Sequence, residues 1–199
     1  MKTILIINAH QRYENFSEGK LNHTMTDVAK AFFKAKQCQV LETKIESGYD
    51  PMDEVEKHLQ ADLVILQTPV FWFSAPWIYK KYVDEVFNAG LFTQKMLTDD
   101  GRTRQDPSKQ YGSGGKMQGK QFMISATWNA PKESFNNTHQ LLFEGKDPRD
   151  VFSWISLNYR FCGFDILPGF NCFDVLKNPQ IDSDVEQYTQ HLETIFQTR

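Results

Sequence analysis

Three stretches of this sequence carry residue types suited to holding a flat or anionic ligand. The first, SEGKLNHT (17–24), leads into a segment with helical spacing of Leu21, Met25, Val28, Ala29 and Phe32. Free backbone amides and the helix dipole at such a start favour an anion, and Ser17, Lys20, Asn22 and Thr24 add hydroxyls, a charge and an amide. The same segment also permits a plain helix cap by Ser17 or Asn15. The second, PVFWFSAP (69–76), crowds Val70, Phe71, Trp72 and Phe73 into a loop where burial in a core is difficult and a flat ring would be covered well. The third, TWNAP (127–131), adds Trp128 at the end of another apolar run.

These segments gain meaning from the elements that carry them. TILII (3–7) is a short apolar run followed by the helical stretch 19–37, and QVLETKI (39–45) alternates as a sheet-edge strand does. ADLVILQTP (61–69) is continuously apolar, as expected of a central parallel strand buried on both faces. Pro76 suits the first turn of a helix to about Asn88; QFMISATW (121–128) is a fourth strand, GFDILPGFNCFDV (163–175) holds a fifth, and a last amphipathic helix covers about 182–197. Strands alternating with helices predict an α/β fold, a doubly wound five-stranded parallel sheet in three α/β/α layers spanning 1–199 as one domain. Ligands of such sheets bind at the carboxyl ends of the strands beside the switch in strand order, which is where all three segments fall. An anion site and two aromatic loops on that edge fit a flavin better than any other common cofactor.

Other motifs are excluded. A single glycine follows the first strand before residue 20, so the GxGxxG dinucleotide turn is absent, and GSGGKM (112–117) lacks the first P-loop glycine and the magnesium-holding hydroxyl. The segment 101–120 is too long and polar to be a mere connection; it has five basic residues against Asp106 as its one acid. It binds phosphate or forms a solvated flap, and composition favours the flap. His139, beyond TWNAP, is a candidate proton donor, whereas His23, His58 and His191 fall on expected helices or their ends and are expected at the surface. Three cysteines without CxxC spacing suggest a reducing compartment, and Cys162 and Cys172 sit in apolar contexts that disfavour a thiolate. A net charge of -3 gives no general attraction to nucleic acid, and the N-terminus shows neither a signal peptide nor a membrane span, so a cytoplasmic protein with small-molecule partners and no metal is expected.

At these same residues the sequence resembles the modulator of drug activity B family of flavodoxin-like NAD(P)H:quinone oxidoreductases. The likeness runs through ILIINAH, SEGKLNHT, PVFWFSAPWIYKKYVDEVF, SATWNAP and HLETIF, and most specifically through DGRTRQDPSKQYGSGG. It implies a homodimer with FAD, NADPH or NADH as electron donor, two-electron ping-pong reduction of a quinone, and protection against quinone and oxidative stress. The cofactor positions it carries over are His10, Ser17, Gly19, Lys20, Leu21, Asn22, His23, Thr24, Pro69, Val70, Phe71, Trp72, Tyr111, Thr127, Trp128, Asn129 and Ala130. Glu18 and Lys20 depart from the small residues usual in the family's first loop, and Val70 and Phe71 replace smaller or indole side chains. Alternatives from neighbouring classes are a flavodoxin-like electron-transfer module and an NAD(P)H-dependent nitro- or azoreductase.

Overall fold

Strand β1 (Thr3–Asn8) and strand β3 (Leu63–Pro69) are buried at every residue, as two-sided apolar strands must be, whereas the alternating β2 (Gln39–Lys44) buries only Thr43. The computed structural model describes residues 1–197. Its parallel strands lie in the order β2-β1-β3-β4-β5, with β4 at Gln121–Thr127 and β5 at Asp165–Ile166. The order reverses between β1 and β3, opening a crevice at their carboxyl ends. The fold is flavodoxin-like, with helices on both faces of the sheet.

Helices α1 (Lys20–Ala35) and α6 (Ile181–Gln197) cover one face, packing Met25, Ala29, Phe33, Tyr188 and Leu192 on Ile4, Ile6, Ile65 and Met123. On the other face α2 (Pro51–Gln60), α3 (Trp77–Phe92) and α5 (Ser153–Phe161) pack on Leu5, Ile7, Val64, Leu66 and Phe122. Asp50 caps α2 by accepting from the amides of Met52 and Asp53, and Pro51 sits at its first position. Pro76 is itself the N-cap of α3, one residue before the expected first turn. A four-residue helix, α4 (Pro148–Val151), leads into α5.

The expected fifth strand is two pieces. β5 pairs with Gln121 and Phe122, and β6 (Phe170–Cys172) pairs with Ser125–Thr127, with Leu167, Pro168 and Gly169 between them. Pro168 has no N–H for the ladder, and the chain passes so close to β4 that a Cβ on Gly169 would lie 2.8 Å from the Ile124 carbonyl oxygen.

His58 corrects an expectation: it is not at the surface but wholly buried, with Nδ1 2.8 Å from the Glu54 carbonyl and Nε2 3.4 Å from the Tyr159 hydroxyl. His191 is half-buried, 3.1 Å from the Pro168 carbonyl. Cys162 and Cys172 are buried as expected, and burial pushes each thiol up to about 12. Burial holds His58 and His10 below the ordinary value of 6.5, so the unfolded chain takes up protons that the fold refuses. Their contribution to stability is complete above that pH and is lost as the pH falls toward the folded-state values. The urea midpoint is therefore expected to drop between about pH 7.5 and 5.5, and His58→Leu should flatten that drop. Equal slopes in the two proteins would refute the assignment.

Candidate active site

Asn8, at the end of β1, organises the first loop. Its Oδ1 accepts from the His10 amide at 3.0 Å and from Asn22 Nδ2 at 2.7 Å, and its Nδ2 meets His23 Nδ1 at 2.9 Å. Gln67 on β3 donates to Asn22 Oδ1 at 3.0 Å, so side chains from both central strands clamp the first turn of α1. Neither Asn8 nor Gln67 stood out in the sequence; the signal was an amide side chain in each of two apolar runs, at the end of TILIIN and within LVILQTP.

The clamp leaves an open helix start. Gly19 is the N-cap, left-handed at φ 77°, with no side-chain cap, so neither Ser17 nor Asn15 fills the capping role. The amides of Gly19, Lys20, Leu21 and Asn22 have no protein acceptor among the described residues. His10 lies directly against them, 1% exposed: a Cβ on Gly19 would fall 2.6 Å from its ring. Its Nε2 is 3.4 Å from Ser17 Oγ, and its Nδ1 has no hydrogen-bond partner, with Glu46 Oε2 at 3.9 Å. Desolvation lowers the His10 pKa, opposed by Glu46. Four unpaired amides, a helix dipole and a buried unpartnered imidazole nitrogen form a cradle for an anion.

The other residues proposed for this loop divide. Asn22 is buried and turned to the sheet, Leu21 packs against the core, and the Thr24 hydroxyl bonds back to the Lys20 carbonyl at 3.1 Å, so these three side chains are engaged within the protein, and of the three positions Leu21 and Asn22 leave an open backbone amide. Glu18 pairs with Lys20 at 3.3 Å on the surface, which offsets the repulsion an acidic residue would bring.

Beside the cradle, residues 71–74 form a tight turn. Phe71 donates its amide to the Ser74 carbonyl at 2.8 Å and Ser74 returns the bond at 3.1 Å, while Trp72 (φ 48°) and Phe73 (φ 63°) are both left-handed. Turns with two positive φ values favour Asn-Gly, and two large aromatics there are strained. The Trp72 indole is 93% exposed. Phe71 packs against Tyr13 at 5.4 Å and Phe16 at 6.4 Å, joining the turn to the first loop. A cleft of about 490 Å³ opens here, lined by Tyr13, Phe71, Trp72, Trp77, Lys80 and Trp154 among others. That volume is ordinary for a small-molecule site.

Val70 spends its amide on the Thr127 carbonyl at 3.0 Å, which leaves the amides of Trp72, Phe73, Asn129 and Ala130 without protein partners among the described residues. Pro69 and Thr127 end the paired strands β3 and β4 beside them. The Trp128 side chain is not exposed at the ligand edge. Its indole is buried against Phe135 and Phe152, with Nε1 donating to Asn171 Oδ1 at 2.8 Å, because this indole fills the core under α5.

Tyr111 is also displaced from expectation. The segment between α3 and β4 lies at the amino ends of the strands, anchored where Leu97 pairs with Gly115 and where Met117 donates to the Cys162 carbonyl at 2.9 Å. Tyr111 packs on Phe161 at the C-terminal end of α5, under the Arg102 guanidinium, on the opposite edge from the cradle of its own chain. His139 is exposed on a turn, and its imidazole makes no hydrogen bond, ion pair or ring contact among the described residues, so nothing supports it as a proton donor.

Residues 2–195 match the family described by its flavodoxin-like fold. The chain is 40% identical to the NADPH:quinone oxidoreductase MdaB of Haemophilus influenzae over 97% of its own length and 98% of that protein's. It belongs to the flavodoxin-like family that includes MdaB. Among solved structures, one provisionally described as a quinone reductase from Klebsiella pneumoniae superposes with a TM-score of 0.77 at 20% identity, over 99% of this chain and 86% of that one. General stress protein 14 of Treponema denticola, solved with FMN, has a TM-score of 0.67 at 20% identity, over 98% and 99%. At that identity the structures establish the family's fold, and the cradle and aromatic turn lie on the edge where such sheets hold ligands.

Proposed function

We propose that this chain is an FAD-dependent NAD(P)H:quinone oxidoreductase. The observation that carries the proposal is the uncapped start of α1 with His10 buried against it, continuous through Phe71 with an aromatic cleft. The cradle fits the phosphates of a flavin nucleotide, and Trp72 with the amides of Trp72, Phe73, Asn129 and Ala130 would hold the ring and its polar edge. When bound, a flavin accepts hydride from a reduced nicotinamide and passes it to an acceptor. The chain's part is to orient these partners in one slot, supply N–H donors to developing negative charge, and shield the slot with Tyr13, Trp77 and Trp154. FAD, rather than the FMN of the Treponema protein, is favoured by the MdaB-like segment DGRTRQDPSKQYGSGG. The Haemophilus relative is named for NADPH, which favours that donor here. A small electron-transfer module would not need so large an aromatic cleft.

The test is spectroscopic and kinetic. The purified protein is expected to be yellow, to release FAD on denaturation, and to give parallel double-reciprocal lines for NADPH and a quinone, because both use one slot in turn. A colourless protein that does not take up added FAD overturns the proposal; intersecting lines overturn the shared slot.

A homodimer completes the site in this reading. Tyr111 is 69% exposed and far from its own cradle, so it reaches a flavin only from a second copy. Tyr111→Ala and Gly19→Ala are each expected to lose flavin, yet mixed after unfolding and refolding they should recover about a quarter of the wild-type sites, those in which an intact cradle meets an intact tyrosine. No recovery would place Tyr111 outside the site.

A further inference from the structure

A line of aromatic rings leaves the cleft and crosses the interior on the α2–α3–α5 face. Trp154 lines the cleft; its ring lies 6.2 Å from Tyr79 between centroids, Tyr79 lies 6.2 Å from Tyr82 with the planes 16° apart, and Tyr82 lies 4.9 Å from Tyr49. Tyr79 and Tyr82 are wholly buried, whereas Trp154 and Tyr49 are each partly open to solvent. A core needs none of these hydroxyls, since phenylalanine fills nearly the same space without a polar atom to satisfy.

The tyrosines on the outward half of the line face proton acceptors. Tyr82 donates to Glu54 Oε2 at 2.7 Å, and Tyr49 donates to Glu85 Oε2 at 2.7 Å. Glu54 is 1% exposed, yet it is fully engaged by Tyr82, by the Thr43 hydroxyl at 2.7 Å and by Lys57 Nζ at 2.6 Å. A carboxylate sunk in an aromatic core is expensive to place unless paired in this way. Packing explains the ring contacts; it does not explain a carboxylate on each of two successive phenols.

We propose that Trp154, Tyr79, Tyr82 and Tyr49 form a conduit that delivers an electron from the surface to a one-electron oxidant in the cleft, an organic radical or a photo-excited flavin. The oxidant gains one electron from the Trp154 indole and is reduced. Tyr79 refills Trp154 and keeps its phenolic proton, for which its buried hydroxyl has no acceptor among the described residues, and Tyr82 refills Tyr79 while the Tyr82 phenolic proton moves to Glu54. Tyr49 then refills Tyr82, the proton returns from Glu54, and the Tyr49 proton passes to Glu85. The net change is one electron from Tyr49 to the oxidant and one proton from Tyr49 to Glu85, with no bond between heavy atoms made or broken. A soluble thiol or reduced nicotinamide restores Tyr49 at the surface. Lys81 holds the Glu85 carboxyl below its usual range, but an oxidised phenol is a far stronger acid than a carboxylic acid, so the transfer still runs to the carboxylate. The conduit rests on the cleft being the redox site, and it would carry stray oxidising equivalents away from that site.

The experiment requires no flavin. Trp77→Cys in a Cys38→Ser background gives a cleft attachment point while Cys162 and Cys172 stay buried. A ruthenium polypyridyl photo-oxidant tethered there is flashed with a soluble electron acceptor and a nitroso spin trap, and adducts are mapped by peptide mass spectrometry. Adducts are expected at Tyr49, with loss of that adduct in Trp154→Phe, Tyr82→Phe and Glu85→Gln. If Tyr82→Phe does not fold, the other two variants, which alter only partly exposed positions, carry the same test. A Tyr49 adduct undiminished in Trp154→Phe, or adducts confined to Tyr13 and Trp72 at the cleft, would overturn the conduit. A chain that binds no flavin would still give the Tyr49 adduct, so failure of the quinone reductase proposal is told apart from failure of this one.

Discussion

Gly19→Ala is expected to abolish flavin retention and to lower the thermal midpoint. Gly19 is left-handed, which costs an alanine about 1–2 kcal/mol. Its new Cβ would also stand 2.6 Å from His10 Cε1 and Nδ1, where contact distance demands roughly an ångström more. His10 has no room to retreat, being buried with its amide bonded to Asn8, so the first loop must shift as a unit. The summed cost is on the order of 2–4 kcal/mol, or about 4–16 °C for a chain of this size. The larger consequence is at the ligand, because the displaced loop and helix start no longer present four amides to one anion. Glu18→Ala, one residue away on the exposed side, should leave both quantities near wild type. Differential scanning fluorimetry and flavin absorbance of the two purified variants check this, and a yellow Gly19→Ala protein with an unchanged midpoint would remove the cradle from the argument.

Trp72→Gly should move stability and binding in opposite directions. The indole is almost fully exposed and its backbone is left-handed, so glycine relieves about 1–2 kcal/mol of strain and returns part of it through a freer unfolded chain. The midpoint is expected to hold or rise slightly. Flavin affinity should nevertheless fall about fivefold or more, since loss of an aromatic wall removes roughly 1–3 kcal/mol of contact. Fluorescence titration of the stripped protein with FAD measures the second effect and thermal melting the first. If both fall together, the turn is a structural element and its aromatic residues are not held in place for a ligand.

The apolar patterns of TILII and LVILQTP, the alternation of QVLETKI and the helical spacing after Gly19 were enough to specify the order of strands and helices, because burial on two faces, one face or one stripe leaves different periods in a chain. The ligand edge followed from topology, since SEGKLNHT, PVFWFSAP and TWNAP all follow strands. Within those segments the sequence could not assign each side chain. Asn22 turns inward to Gln67 and Trp128 fills the core, and outside those segments His58 is buried against Tyr159, because each is claimed by partners 45, 43 and 101 residues away respectively. Local spacing told a strand from a helix at GFDILPGFNCFDV but not that Pro168 and Gly169 divide it, since the close approach to Ile124 exists only once β4 is beside it. Tyr111 shows the same limit at longer range: its residue type marks a ligand contact, but the path of the chain from α3 to β4 sets it on the far edge of the sheet. Residue type and period thus determined which elements form and which loops meet at the crevice. The left-handed Gly19, the two left-handed aromatics and the buried imidazole of His10 were decided by contacts between those loops, which come into being only when the strands have been ordered side by side.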